Sequence, residues 1–182
     1  IAWIEFSALI SKIFKKNNYK EKTLRFLCKL STLMYLFYIV FIILSVTVDR
    51  PNLEIVFIYI ILVSVMTDIG GLLVGKTLKG KKLTKISPNK TISGSLGSFI
   101  FSFCLVPFFI QLNLLNYDYF FLLMVTSIIS LSSQIGDLII SLLKRKAKVK
   151  NTSDLLPGHG GILDRIDGII LAIPTGFYFL IN

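Results

Sequence analysis

A chain of 182 residues that is 54% hydrophobic and only 16% charged, with a mean hydropathy of +0.75, has too little polar surface to clothe a soluble domain. Its formal charge of +10 would suit a nucleic-acid partner, but the basic residues sit between apolar runs, where membrane topology already calls for them. A soluble domain and a nucleic-acid partner are therefore set aside, and an integral membrane protein is expected, because the apolar runs reach the roughly 20 residues that cross a hydrocarbon core.

The chain begins IAWIEFSALI. It opens on Ile1 rather than Met, so it is expected to be a fragment or to lack its own start, with upstream spans missing. The stretch carries Glu5 and no basic leader, which argues against a signal peptide. It reads as an interfacial segment or the tail of an upstream span, with Trp3 at headgroup level. A basic segment follows, from Lys12 to Lys29. The first clear span runs from about Leu30 to Val48 and ends at a turn signal, Asp49-Arg50-Pro51-Asn52.

A second span, from about Leu53 to Val74, carries Asp68, Gly70 and Gly71 near its end. The loop after it is basic, with Lys76, Lys79, Lys81, Lys82, Lys85 and Lys90. The third span, from about Thr91 to Gln111, holds Gly94 and Gly97, small residues that permit close helix approach in a bilayer. A short connector ends in Asp118. The fourth span, Tyr119 to Leu143, has Gln134, Gly136 and Asp137 in its last third.

The polar stretch SLLKRKAKVKNTSDLLPGHGGILDRID, Ser141 to Asp167, interrupts the apolar pattern before a final span from about Ile162 to Ile181. The expected fold is thus a polytopic transmembrane α-helical bundle of about five spans, one domain over residues 1–182. With five spans, the three basic segments fall on one face, which the positive-inside rule makes cytoplasmic. Cys28 and Cys104 lie far apart and are expected to be buried packing residues rather than a disulfide or a metal site.

On this arrangement Asp68, Asp137, Asp164 and Asp167 share one level of the bilayer while coming from three helices. Each could simply pair with a nearby lysine. Four acids at one depth favour instead a polar or metal-binding pocket, since carboxylates are costly in hydrocarbon and are kept for a task. Asp164 and Asp167, at i and i+3, would share a helix face and suit a hard divalent cation, as well as complementing the helix dipole. His159 stands among Gly158, Gly160 and Gly161, whose bare backbone lets N–H groups approach an anion; it reads as a phosphate or nucleotide contact. Most lysines serve topology and attraction to anionic lipid; Lys90, Lys144 and Arg145 are the ones expected to do chemistry.

The residues Ser141-x-x-Lys144-Arg145, Lys150 and Leu156-Pro157-Gly158-His159-Gly160-Gly161-x-x-Asp164-Arg165-x-Asp167 resemble the signature of the phosphatidate cytidylyltransferases. Asp68-x-Gly70-Gly71-x-x-x-Gly75-Lys76, Ser87-Pro88-Asn89-Lys90-Thr91-x-x-Gly94 and Gln134-x-Gly136-Asp137 resemble further motifs of that family, in the same order. Trp3 and Glu5 are similar to its Trp-Glu-Trp region. Asn151 stands where the family usually has Asp.

The resemblance implies transfer of CMP from CTP to phosphatidate, giving CDP-diacylglycerol and pyrophosphate, in phospholipid synthesis at a bacterial-type plasma membrane. It implies Asp137, Asp164, Asp167 and Lys144 as catalytic groups. Mg²⁺ would sit on Asp137, Asp164 and Asp167, and Asp68 would hold a second cation or orient a lysine. Lys90, Arg145, His159, Gly160, Gly161, Arg165 and Ser87 would contact substrate, and the protein would be a homodimer. Two other readings stand beside it: a CTP-dependent polyprenol or phytol kinase, and a cation transporter that uses intramembrane acids as ligands.

Overall fold

A computed structural model describes residues 1–15, 18–49, 53–84, 87, 90–153 and 160–181. Eight helices are present among them: α1 (Ala2–Ile13), α2 (Tyr19–Asp49), α3 (Glu54–Leu78), α4 (Ile92–Phe103), α5 (Leu105–Gln111), α6 (Tyr119–Lys146), α7 (Leu163–Ile166) and α8 (Ile169–Ile181). The expected polytopic helical bundle is what is observed. Four segments are long and apolar enough to cross a membrane: Tyr19–Ser45, Glu54–Leu78, Ile92–Gln111 and Tyr119–Lys146. The Asp49–Asn52 turn signal falls largely on residues outside those described.

The stretch expected to form a fifth span is interrupted. The chain from Ile162 onward is not one helix but α7 and α8, separated at Asp167-Gly168. Helix α8 is nonetheless embedded in the bundle: Ala172, Ile173, Phe177 and Leu180 are buried in the main core with Tyr59, Val63, Leu122 and Ile129. The helices also run further than the hydropathy suggested. Helix α2 starts at Tyr19, so Lys20, Lys22, Arg25 and Lys29 are helical, and α6 carries Lys144, Arg145 and Lys146 in its last turn, where cations complement the dipole.

The glycines of the second and third spans explain how α3 and α4 meet. A Cβ on Gly70 would lie 2.5 Å from the Gly97 carbonyl oxygen, and one on Gly94 would lie 2.7 Å from that of Gly71. Only hydrogen fits between these backbones, the close approach expected from small residues. Ser98 Oγ, donating to the Thr67 carbonyl at 2.7 Å, pins the same contact.

Helices α3 and α6 run side by side in the same direction and are joined by buried hydroxyls. Tyr59 pairs with Thr126 at 2.5 Å, Ser64 with Ser133 at 2.8 Å, and Thr67 with Ser130 at 2.8 Å. Each pair satisfies two polar groups where no water competes. Because the helices are parallel, Asp68 and Asp137 emerge at the same end of the bundle.

Helix α1 is attached at that end. Leu9 packs with Ile140, Ala147 and Leu163 in a small second core. Trp3 Nε1 donates to the Lys29 carbonyl at 3.2 Å, so its polar edge ties α1 to α2. The cysteine expectation fails for Cys104, which is exposed at the break between α4 and α5; Cys28 is half-buried, and both are free thiols.

Candidate functional site

A cleft of about 740 Å³ opens at the polar end between α3, α4 and α6. Asp68 and Lys76 enter it from α3, Gln134 and Asp137 from α6, and Ser87 and Lys90 from the loop before α4. That loop is folded back by an isolated antiparallel bridge between Lys82 and Thr91. Leu83 N–H donates to the Lys90 carbonyl at 2.8 Å, and Ile92 N–H to that of Lys81 at 3.0 Å. Thr91 Oγ1 caps α4 by accepting from Gly94 N–H at 3.0 Å, so the threonine of the Ser87–Gly94 motif places Lys90 at a helix start.

Lys90 forms an ion pair with Asp137 Oδ2, both side chains being about one-quarter exposed at 26%. Asp137 Oδ1 accepts from Ser141 Oγ at 3.2 Å. The carboxylates of Asp68, Asp137 and Asp167 are close enough to repel one another, with Lys90 and Lys144 as the neighbouring cations. Repelling carboxylates at the mouth of a polar cleft are a donor set suited to a hard cation. Among the described residues no three acidic, histidine or cysteine side chains form a ready-made ligand cage.

Asp164 is differently placed. Its Oδ1 receives Lys144 Nζ at 2.7 Å, while Oδ2 accepts from Thr152 N–H at 2.9 Å, Gly161 N–H at 3.0 Å and Thr152 Oγ1 at 3.0 Å. Burial alone would raise its pKa, but these donors and the Lys144 charge outweigh it and hold the carboxyl below its ordinary range. Asp167 instead accepts from Gly168 N–H at 2.9 Å. It also lines an apolar groove of about 400 Å³ on the other side of α6, with Phe6, Tyr35 and Leu36. Gly136 permits this approach: a Cβ there would lie 2.5 Å from the Asp167 carbonyl oxygen.

The two acids three residues apart therefore have different partners in the structure. Asp164 is enclosed by protein donors and Asp167 belongs with Asp137. The simple lysine-pairing reading holds for Asp137 and Asp164; Asp68 and Asp137 line the cleft, whereas Asp167 lines the groove on the other side of α6.

Gly160 and Gly161 also differ from expectation. The anion that Gly161 N–H approaches is Asp164's own carboxylate. Gly160 has φ +82°, and a Cβ on it would meet Asp164 Oδ2 at 2.9 Å. Arg145 and Arg165 are exposed near this end. His159 lies outside the described residues. Sequence reasoning missed two contributors. Thr152 gives its N–H to Asp164 and shares its single hydroxyl proton between Asp164 and Glu5, which, far away in the chain, is bound into the same loop. Only an i-to-i+12 pairing of Thr152 with Asp164 could have signalled the first, and spacing of that length carries no periodic signature.

Fold and site together define a polytopic helical bundle with a charged cleft at one end, built from facing aspartates and lysines. All of the chain, residues 1–182, matches the cytidylyltransferase family, and it belongs to that family. It is 41% identical over 134 residues to the phosphatidate cytidylyltransferase of Bacillus subtilis, covering 73% of this chain and 49% of that protein. The enzymes of the same name from Staphylococcus haemolyticus and Rickettsia bellii are 44% and 40% identical, over 64% and 61% of this chain and 45% and 51% of theirs. The chain spans about half the length of the curated relatives it matches.

Proposed function

We propose that this chain carries the reaction centre of a phosphatidate cytidylyltransferase. CTP would enter the charged cleft, and phosphatidate would reach it from the bilayer. A phosphatidate phosphate oxygen attacks the α-phosphorus of CTP, the bond from that phosphorus to the bridging oxygen of the β-phosphate breaks, and pyrophosphate leaves. No proton transfer to the protein and no covalent enzyme intermediate is needed. Both reactants are anions, so the work of the site is to neutralise charge and align the groups. The observation that carries this reading is the cleft itself, where Asp68, Asp137, Lys90 and Ser87 meet, in a chain of the cytidylyltransferase family.

Asp137, with Asp68, would hold Mg²⁺, which when bound supplies Lewis-acid neutralisation of the triphosphate. Lys90 neutralises Asp137 in the absence of ligand and swings to the triphosphate when the cleft fills. Lys144 is offered to phosphate oxygens at the end of α6, and Asp164 orients it. Arg145, Arg165 and Ser87 add donors, and His159 is carried as a substrate contact on its motif alone. The apolar groove beside Asp167 suits the lipid's glycerol and acyl portion. The basic end of the bundle is taken as cytoplasmic, where CTP is available, and α2's exposed Met34, Phe37 and Phe41 face lipid or a second copy.

The test is product analysis with membranes carrying the full protein, Mg²⁺, phosphatidate and CTP labelled in either the cytidine or the γ-phosphate. Cytidine label entering lipid with release of pyrophosphate is the expected result. Label from the γ-phosphate in lipid would overturn the proposal in favour of a lipid kinase.

A further inference from the structure

Glu5 is the one acidic or basic side chain among the described residues that is buried, at 3% exposure, yet it belongs to α1, outside the cleft and its chemistry. Both carboxylate oxygens are fully used. Oε1 accepts from Ser153 Oγ at 2.7 Å and from Ile162 N–H at 3.1 Å. Oε2 accepts from Thr152 Oγ1 at 2.9 Å and from Leu163 N–H at 2.8 Å. The donors come from the two ends of one segment, residues 152–153 and 162–163, so this carboxylate holds the base of that segment shut.

The connection continues to the reaction centre. The Thr152 hydroxyl lies between Glu5 Oε2 and Asp164 Oδ2, and Asp164 Oδ1 receives Lys144. There is no slack in the chain: a Cβ on Gly161 would sit 2.0 Å from Thr152 Oγ1 and 2.5 Å from Glu5 Oε2. Burial pushes the Glu5 pKa up, but the four donors more than offset it and leave it below its ordinary 4.5, so the carboxylate is ionised at neutral pH as this geometry requires.

We propose that Glu5 is a positioning residue for Lys144: by closing the 152–163 segment it fixes Thr152 and Asp164, and through them the ammonium at the end of α6. What Lys144 is held for rests on the proposed function; the linkage itself does not.

Two readouts separate these. The first needs no activity: amine-reagent labelling of the full protein in membranes, with Lys144 and the exposed Lys146 resolved by peptide mass spectrometry. Wild-type Lys144 is expected to label more slowly than Lys146. Glu5→Gln is nearly isosteric, but its amide nitrogen must face either the Leu163 N–H or the Ile162 N–H, donor against donor. Lys144 labelling should then rise several-fold, with Lys146 unchanged. Leu9→Ala removes an equally buried side chain from the same helix and should leave Lys144 protected. Equal exposure of Lys144 in both variants would mean that Glu5 only docks α1, and would overturn the proposal. If Glu5→Gln does not accumulate in membranes, Thr152→Val breaks the same link with α1 untouched. Unchanged Lys144 labelling there overturns it equally.

The second readout is cytidylyl transfer at saturating CTP, expected to fall on the order of a hundredfold in Glu5→Gln, as for a group displaced by about 1 Å. Increased labelling in a protein whose wild type transfers no cytidine would sink the functional reading and leave the positioning role standing. Full transfer and unchanged labelling in Glu5→Gln would refute the role of Glu5 alone.

Discussion

Two lysine–aspartate pairs stand at the same end of this bundle, and they are built for opposite purposes. Lys90 and Asp137 meet at the wall of an open cleft, each one-quarter exposed, and among the described residues Asp137 has Ser141 as its one further donor. Lys144 and Asp164 are more enclosed, at 15% and 12% exposure, and Asp164 is surrounded by Thr152 and Gly161 donors that cannot leave without opening the loop. An exposed pair with unfilled valences exchanges its partner readily, because water and ligand replace what is lost. An enclosed pair does not, since removing one partner strands a charge among fixed dipoles. The first pair is suited to letting go when anions arrive, and the second to holding a cation in place throughout.

The strongest way to break this contrast is at the exchangeable pair. Asp137→Asn should lower cytidylyl transfer by on the order of a thousandfold, as for loss of a preorganised electrostatic group, while the protein still inserts in membranes. Transfer assays with matched membrane amounts would check this. Asp164→Asn should also abolish measurable transfer, but with a second signature that Asp137→Asn lacks: Lys144 becomes open to amine labelling. If both variants gave the same labelling pattern, the distinction between the pairs would fail.

A packing test comes next. Gly97→Ala forces a methyl group against Val74 and the Gly70 carbonyl, with a Cβ 2.4 Å from the Val74 Cβ, and should cost on the order of 1–3 kcal/mol by overpacking. It would be measured as a lowered midpoint of thermal unfolding in detergent, with transfer reduced because Asp68 and Lys90 shift apart.

Acid should discriminate more gently. The depressed pKa of Glu5 means that its contribution is complete above its ordinary value of 4.5 and is lost only as pH falls through the lower folded value. Amide hydrogen exchange at Ile162 and Leu163, corrected for the intrinsic rate, should be flat from neutral pH to about 5 and rise below that. Loss of protection already near neutral pH would contradict it. The smallest effect is expected for Lys146→Ala, an exposed residue in the last turn of α6 with no ion pair to either aspartate, where transfer should change by less than about twofold.

Much of this was legible in the residues. Long apolar runs of membrane-crossing length can only be helices, because every backbone polar group must be satisfied within its own segment, and four of these spans were found near their expected places. Gly70, Gly71, Gly94 and Gly97 announced a close helix contact for the same reason. The break within the fifth apolar stretch was not legible because hydropathy sums over Asp167-Gly168 without sensing it. Cys104 was misread because apolar company in sequence does not say which face of a helix is turned inward.

For the site, residue types alone determined that cations, carboxylates and a glycine loop are gathered at one end of a helical bundle. That follows from the cost of placing charge in hydrocarbon, which confines such groups to the ends of spans or to pockets between them. Which carboxylate faces which lysine was decided only by the tertiary structure. Asp164 and Asp167 are near neighbours in sequence, yet they part company because the chain bends after α7 and Thr152 and Gly161 converge on just one of them. Glu5 reaches the same loop from 147 residues away in sequence. Hydrogen bonds of that span depend on how helices pack, and no local pattern of residues encodes them.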